Sequence, residues 1–349
     1  MTLTIQIILL LVTYYDTIVV ILGKEVLLIM RTSVKDLLDN YQVRKSFRQK
    51  QVFIKWLENH ANEYNYKLEE QHYKKGRGRN LIIGNPETAE IILTAHYDTP
   101  PNALFPVATI VGNIPAYILS QVFIFLPIIA ILYLLQIGIG LMFQDFSPWN
   151  EMVPFLWFET SLLTLVLLML WSLQMMMGFA NKKNANDNTS GVAVLVSLLE
   201  DLSHSQRHKV CFVFFDEEEK GLEGSKFFKK FYSKETRFKP LINFDCVAHG
   251  NHLMFITKKE FRESKFNEFL IEASKDKALI KEAKKYVYPS DQLIFKNSVG
   301  VAALHKMPVL GYYLSRLHSR FDSEFNELNI ETLNQIMIKF IEKIPDDGH

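Results

Sequence analysis

From Thr99 to Gln144 this chain carries no charged residue. Inside that stretch, Val107 to Phe143 reads VATIVGNIPAYILSQVFIFLPIIAILYLLQIGIGLMF, far beyond the ~20 apolar residues that cross a bilayer. A helix packed on a soluble core keeps a polar face over such a length, and this run has none. Pro115 and Pro127 are tolerable as kinks in a membrane helix. A second run, Met152 to Ala180, has one acid, Glu159, in its first turns, and the polar link QDFSPWNE joins the two. Trp149 and Trp157 suit interfacial belts. The pattern predicts a transmembrane helical hairpin over residues 99–179, with lipid around 107–143 and 152–180.

The charges outside the hairpin set its orientation. Lys182 and Lys183 follow the second run, and Lys74, Lys75, Arg77 and Arg79 lie upstream, whereas the link carries Asp145 and Glu151 and no base. By the positive-inside rule the remainder of the chain faces the cytoplasm, so the expectation is an integral membrane protein with its large domain on that side. Cys211 and Cys246 sit in apolar, strand-like runs and read as reduced, buried thiols, which agrees. A net charge of +1 argues against nucleic acid as a partner. Residues 1–30 are apolar but interrupted by Asp16, with no basic start and no small-residue cleavage site. They make a poor signal peptide and read as a leader, with Met30 as the effective start, or as an N-terminal anchor.

Residues 31–98 and 180–349 alternate strand and helix patterns and are expected to form one domain around the inserted hairpin. Short β-rich runs fall at 80–84, 90–95, 241–245, 252–257 and 308–314, and VCFVFF within 209–215 is continuous enough to be buried on both faces. Helical spacing marks 46–63, 191–202, 225–231, 262–275 and 330–344. The alternation predicts an α/β fold, a mainly parallel (mixed), twisted sheet sandwiched by helices.

Residues of metal-ligand type recur where such strands end. His96 and Asp98 stand two apart in IILTAHYDT and face the same side of a strand, so Asp98 can orient the imidazole. Asp187 lies in the polar turn NANDNTSG. In FVFFDEEEKGLEGS a buried strand runs into four acids, a costly cluster unless cations or a proton neutralise it. One acid there can bind metal while its neighbour takes a proton from water. Asp245 ends LINFD, and His318 follows the last strand in LSRLHSRFD. His96, Asp187, Glu219, Asp245 and His318 supply two imidazoles and three carboxylates, one able to bridge. That set suits two divalent cations that activate water, zinc first, with cobalt or manganese also fitting. The other histidines, His60, His249 and His305 among them, read as structural or solvated.

As a set these motifs resemble the dinuclear zinc exopeptidases of peptidase clan MH, which include bacterial aminopeptidases, glutamate carboxypeptidase and glutaminyl cyclase. The resemblance runs over Asn80–Asp98 and Asn184–Asn329 and rests on His96-Tyr97-Asp98, on Asp187-Asn188-Thr189-Ser190-Gly191, on Glu218-Glu219-Lys220-Gly221-Leu222-Glu223-Gly224-Ser225, and on Asp245 and His318. Tyr288-Pro289-Ser290-Asp291 is similar to a loop near the family's site. The resemblance implies a membrane-anchored, bacterial-type zinc aminopeptidase acting on peptides with a free N-terminus. It implies that Asp187 bridges two zinc ions, with His96 and Asp245 on one and Glu219 and His318 on the other. Glu218 would be the general base, drawing a proton from the water between the ions, and Asp98 the acid behind His96. Gly221, Leu222, Gly224 and Ser225 fix this register and leave Glu217 outside the pair. Soluble members have only a short loop between Asp98 and Asp187, where this chain has its hairpin. Competing readings are a carboxypeptidase or dipeptidase using Arg316 or Arg320 as a carboxylate clamp, a one-zinc glutaminyl cyclase, and a non-catalytic membrane scaffold.

Overall fold

The computed structural model describes residues 10–14, 17–22, 25–28, 30–103, 105–142, 162–174 and 177–345. The strands are β1 (Leu10–Tyr14), β2 (Thr17–Leu22), β3 (Glu25–Leu28), β4 (Leu68–Tyr73), β5 (Gly78–Ile83), β6 (Ile91–His96), β7 (Val107–Val111), β8 (Val210–Phe215), β9 (Leu241–Phe244), β10 (His252–Thr257), β11 (Leu279–Glu282), β12 (Ser298–Met307) and β13 (Gly311–Leu317). The N-terminal segment, read as leader or anchor, carries the antiparallel sheet β1-β2-β3. The main sheet has ten strands, in the order β11-β10-β12-β9-β6-β8-β5-β4, with β13 on β12 and β7 on β13.

At its centre β12, β9, β6 and β8 run parallel, while β5, β4, β10, β13 and β7 join by antiparallel pairing. The sheet is therefore mixed with a parallel centre. Alternation along VCFVFF explains why that centre is covered on both faces. Val210, Phe212 and Phe214 point into one apolar cluster, and Cys211, Val213 and Phe215 into another. Each phenylalanine is fully buried, worth about 1.5–3 kcal/mol apiece. The first cluster lies under α1 (Thr32–Asn40), α2 (Phe47–Glu63) and the closing helix Glu327–Glu342. The second lies under Glu223–Phe231 through Phe228. Ser46 starts α2 with a reciprocal cap: its Oγ accepts Gln49 N–H at 3.2 Å, and Gln49 Oε1 accepts Ser46 N–H at 2.9 Å.

The predicted hairpin departs from expectation at its start. Val107–Val111 is strand β7, paired with β13, because its alternation finds an open sheet edge before the apolar run begins. Helix α3 follows over Ile114–Met142, with Pro127 inside it. By length and composition α3 is able to cross a membrane: within Ile114–Gly138 an 18-residue stretch has a mean hydropathy of 2.5 and is only 6% buried. A shorter apolar helix, α4, spans Leu162–Gln174, and Phe125 of α3 meets Trp171 of α4 edge to face at 4.9 Å. The predicted link QDFSPWNE, Trp149, Trp157 and Glu159 lie outside the described residues. The two ends of the insertion meet. Pro101 and Ala180 form an antiparallel bridge, with Asn102 N–H on Phe179 O at 2.8 Å and Asn181 N–H on Pro100 O at 3.0 Å.

The strand expected over 308–314 is instead the turn between β12 and β13 and the start of β13. Ser298–Met307 shows no period-2 contrast because both its faces are covered over most of its length.

Candidate metal centre

Three adjacent parallel strands, β9, β6 and β8, deliver their carboxyl ends to one rim. His96 is the last residue of β6, Asp245 follows β9, and the acidic run follows β8. Crevices outside the carboxyl ends of parallel strands are where α/β sheets bind ligands.

Asp187 reaches the rim from an irregular turn, Ala185–Ser190, that leads into α5 (Gly191–Asp201). Asn188 stitches this turn to the sheet: its Nδ2 donates to Phe244 O at 3.0 Å, and its Oδ1 accepts Gly191 N–H at 2.9 Å and Cys246 N–H at 3.3 Å. Gly191 is required by contact, since a Cβ there would lie 2.3 Å from Phe244 O. Gly224 is in the same position after β8, where a Cβ would lie 2.3 Å from Asp216 O. These two close approaches account for the glycines of both motifs.

The four acids after β8 sort themselves by partner. Asp216 is fully buried and paired with Lys50 of α2. Glu217 turns to Lys220 at 2.8 Å and Lys74 at 3.2 Å. Glu218 and Glu219 are left to line the cavity at the rim, a space of ≈ 400 Å³ that also includes His96, Asp187, Asp245 and His318. A larger cavity of ≈ 630 Å³ near Arg31 and His60 contains none of these residues.

Within the rim cavity Asp187 divides its carboxylate. Its Oδ1 lies 3.3 Å from His96 Nε2, and its Oδ2 lies 3.1 Å from His318 Nε2. Asp245 Oδ1 is 3.6 Å from the first imidazole, and Glu219 Oε2 is 3.5 Å from the second. Ligand atoms of His96, Asp187 and Glu219 fall within 4.8 Å of one another, as do those of Asp187, Asp245 and Cys246. Asp98 faces His96 Nδ1 at 3.5 Å and accepts the N–H of Glu218 at 3.0 Å and of Glu219 at 3.3 Å. All seven residues predicted for the site thus meet at one rim.

The electrostatics show what this cluster is short of. Burial opposes charge on His96, but Glu218, Asp187, Asp245 and Asp98 hold its pKa well above the ordinary value. Desolvation also opposes charge on His318, whose side chain is 21% exposed, yet Glu219 and Asp187 raise it to about 9. Burial disfavours ionised Asp187, yet His318 and His96 hold it below the usual carboxylate range. Burial pushes Glu219 up to about 8 against His318, with Asp187 adding to the rise. Burial and the carboxylates of Glu219, Asp291 and Asp245 raise Glu218 well above its ordinary value against His96. Positive charge is the missing component. Asp245 Oδ1 and Glu219 Oε1 are buried with no hydrogen-bond partner. Unpaired carboxylate oxygens beside two imidazole nitrogens are a donor set that zinc fits.

Several contributors had little signal in the sequence. Asp322, four residues after His318, accepts Asn186 N–H at 2.9 Å and Asp187 N–H at 3.0 Å. Arg44 is fully buried and binds Tyr97 O at 2.5 Å and Thr189 Oγ1 at 3.2 Å, joining the two ligand loops. Cys246 lines the cavity, and burial followed by the charges of Asp187 and Asp245 raises its thiol well above the ordinary range. Two histidines read as solvated or structural have partners: His249 meets His305 at 3.1 Å and Glu324 at 3.0 Å.

A parallel-centred α/β sheet whose rim gathers two imidazoles and three carboxylates defines a metal-dependent hydrolase. Residues 174–341, just under half of the chain, match the model described as Peptidase family M28. The enzyme is a metallo-exopeptidase with peptides as substrates. Solved structures agree in fold. A Zn-dependent exopeptidase from Parabacteroides distasonis aligns with a TM-score of 0.54 at 13% identity, covering 89% of this chain and 97% of its own. Porphyromonas gingivalis glutaminyl cyclase aligns with a TM-score of 0.54 at 15% identity, covering 89% and 96%. A leucine aminopeptidase precursor from Bacteroides thetaiotaomicron aligns with a TM-score of 0.51 at 14% identity, covering 90% and 95%. No curated protein matches the chain by sequence.

Proposed function

We propose that this chain is a membrane-tethered aminopeptidase that removes the first residue of peptides at a two-zinc centre facing the cytoplasm. The observation that carries the reading is the divided carboxylate of Asp187, with one oxygen toward His96 and the other toward His318. Asp187 would be shared by both ions, His96 and Asp245 would hold one, and Glu219 and His318 would hold the other. Bound zinc supplies Lewis acidity for the scissile carbonyl and makes water ionisable near neutral pH.

The chain's own groups handle the proton. Glu218 accepts it at a carboxylate oxygen and returns it to the leaving amine. Asp98 holds the Glu218 and Glu219 backbone and orients His96 from behind. An aminopeptidase is favoured over a carboxypeptidase because neither Lys nor Arg is among the described residues that line the cavity. Arg316 is paired with Glu324, and Arg320 lies over the Phe321 ring. Residues 31–98 and 180–349 are the catalytic domain, and 99–179 the tethering insertion. The cytoplasmic orientation rests on Lys182 and Lys183 beside the second apolar run and on the base-free link.

The test is an assay of purified full chain in detergent with aminoacyl anilides, N-acetylated peptides and N-terminal glutaminyl peptides, with and without chelator. Expected are cleavage of free-amine substrates only, loss of activity on chelation and two zinc ions per chain. Cleavage that depends on a free C-terminal carboxylate would overturn the direction of attack. One zinc ion per chain with cyclisation of glutaminyl peptides would replace the peptidase by a cyclase.

A further inference from the structure

The cavity is not built by the catalytic domain alone. Tyr117, Gln121 and Ile124 of α3 are part of its lining. They stand at i, i+4 and i+7, one stripe of the helix. Ser120, between them on that stripe, is 4% exposed. Their neighbours face away: Ile118, Leu119, Val122 and Phe123 are all exposed at 46–54%. Ile124 also packs on the apolar cluster that contains Val107, Leu314 and Leu317, and those three residues line the cavity with it.

The first turns of α3 therefore serve as a wall, and the chain beyond them remains for a span. Phe125 to Met142 is about 27 Å of helix, close to the hydrocarbon thickness of a bilayer. The acids of the candidate metal centre, Asp187, Glu218, Glu219 and Asp245, line the same cavity as this wall. A cavity of ≈ 400 Å³ takes the end of a peptide, not a long segment. With the amine and scissile carbonyl at the acids, the first side chain is left against the α3 wall.

We infer that α3, besides tethering the protein, is the specificity wall of the active site, and that Tyr117 and Ile124 select peptides whose first residue is large and apolar. This rests on the aminopeptidase reading. The selection comes from apolar area removed from water on binding, where each methylene is worth a few-fold to tens-fold in turnover.

The experiment compares kcat/KM for leucyl and alanyl anilides in the full chain loaded with zinc in lipid nanodiscs. Wild type is expected to prefer leucyl by about 10–100-fold. Ile124→Ala and Tyr117→Ala should each cut that ratio about 10-fold by lowering the leucyl value alone. Ile124→Val, which removes one methylene with little risk to folding, should cut it about 3-fold. Ile118→Ala, on the uncovered face, should leave the ratio as it was. Ratios unchanged in the Ile124 and Tyr117 variants, or both substrates falling together at full zinc content, would overturn the wall. A stronger preference of wild type for lysyl or glutamyl substrates would also overturn it. A wild type that turns over no free-amine substrate would reject the aminopeptidase reading itself, and the wall with it.

Discussion

Asp322 holds Asp187 by the backbone: its Oδ2 accepts the Asp187 N–H at 3.0 Å while its Oδ1 accepts that of Asn186 at 2.9 Å. The carboxylate proposed to bridge is thus positioned by a second carboxylate from the segment that also carries His318. Burial and then the charge of Asp187 push Asp322 up to about 7. A cation on Asp187 offsets that repulsion, so Asp322 is coupled to metal occupancy without touching it.

Asp322→Ala should therefore lower zinc affinity by about 10–100-fold, the range for residues that orient ligands. Asp322→Asn, which still accepts one N–H, should lose less. Zinc content after dialysis against graded free zinc measures both, and unchanged affinity in Asp322→Ala would sever the link.

Glu218→Ala should keep zinc and lose turnover by about 10²–10⁴-fold, the usual share of a positioned general base. Glu219→Ala should lose metal as well as turnover, since Glu219 lies 3.5 Å from His318 Nε2. Metal analysis alongside kcat separates the two adjacent glutamates. The reverse pattern would exchange their roles.

How much of this was legible depends on the kind of contact. The strand ends at His96 and Asp245 could be read because parallel strands buried on both faces are continuous apolar runs, and a polar residue terminating one stands out. The register of Glu217, Glu218 and Glu219 followed from the resemblance at Gly221, Leu222, Gly224 and Ser225, and of these Gly224 has a local physical need, its backbone approach to Asp216 O. Arg44 and Asp322 were not legible. Each acts through three long-range hydrogen bonds, and nothing in its neighbourhood distinguishes it from a surface charge. Strand β7 was hidden inside the apolar run because strand and helix formers are equally apolar there, and only the open edge of β13 decides between them.

The Lys50–Asp216 pair, beside Asp98 of the site, predicts a stability effect. Both side chains are buried, at 8% and 0% exposure, and Asp216 also accepts Glu217 N–H at 2.8 Å. Lys50→Met leaves a buried carboxylate without its cation and should cost about 3–5 kcal/mol. Adding Asp216→Asn should restore part of the loss, because the charge goes while an acceptor remains. Denaturant midpoints of the two variants measure this. A destabilisation below 1 kcal/mol in Lys50→Met would mean the pair is solvated.

Chelation should lower the melting temperature, and zinc should restore it. The carboxylates of Asp187, Glu219 and Asp245 lie too close to be left uncompensated, and a cation binding only the folded chain at 100 times its dissociation constant adds about 2.7 kcal/mol. Thermal scans in EDTA and in graded zinc provide the measurement. A melting temperature indifferent to zinc would exclude a preformed centre.

The insertion can be removed at a defined joint. Asn102 N–H meets Phe179 O at 2.8 Å beside the Pro101–Ala180 bridge, so the two chain ends already run as an antiparallel pair. Two-residue Asn-Gly turns close such pairs. A chain in which residues 103–178 are replaced by Asn-Gly should leave the membrane fraction without detergent and still bind zinc, since all seven predicted site residues lie outside the excised segment. It gives up strand β7, which exposes the edge of β13, and the α3 stripe of Tyr117, Gln121 and Ile124. Activity should survive, lowered by loss of the Ala103 N–H that His318 O accepts at 2.6 Å, with KM raised for leucyl substrates far more than for alanyl ones, because the missing wall removes binding area. Alkaline extraction of membranes, zinc content and the two KM values together decide it. Retention of the shortened chain in membranes would place the anchor elsewhere, and loss of zinc would show that the insertion holds the ligand loops in place.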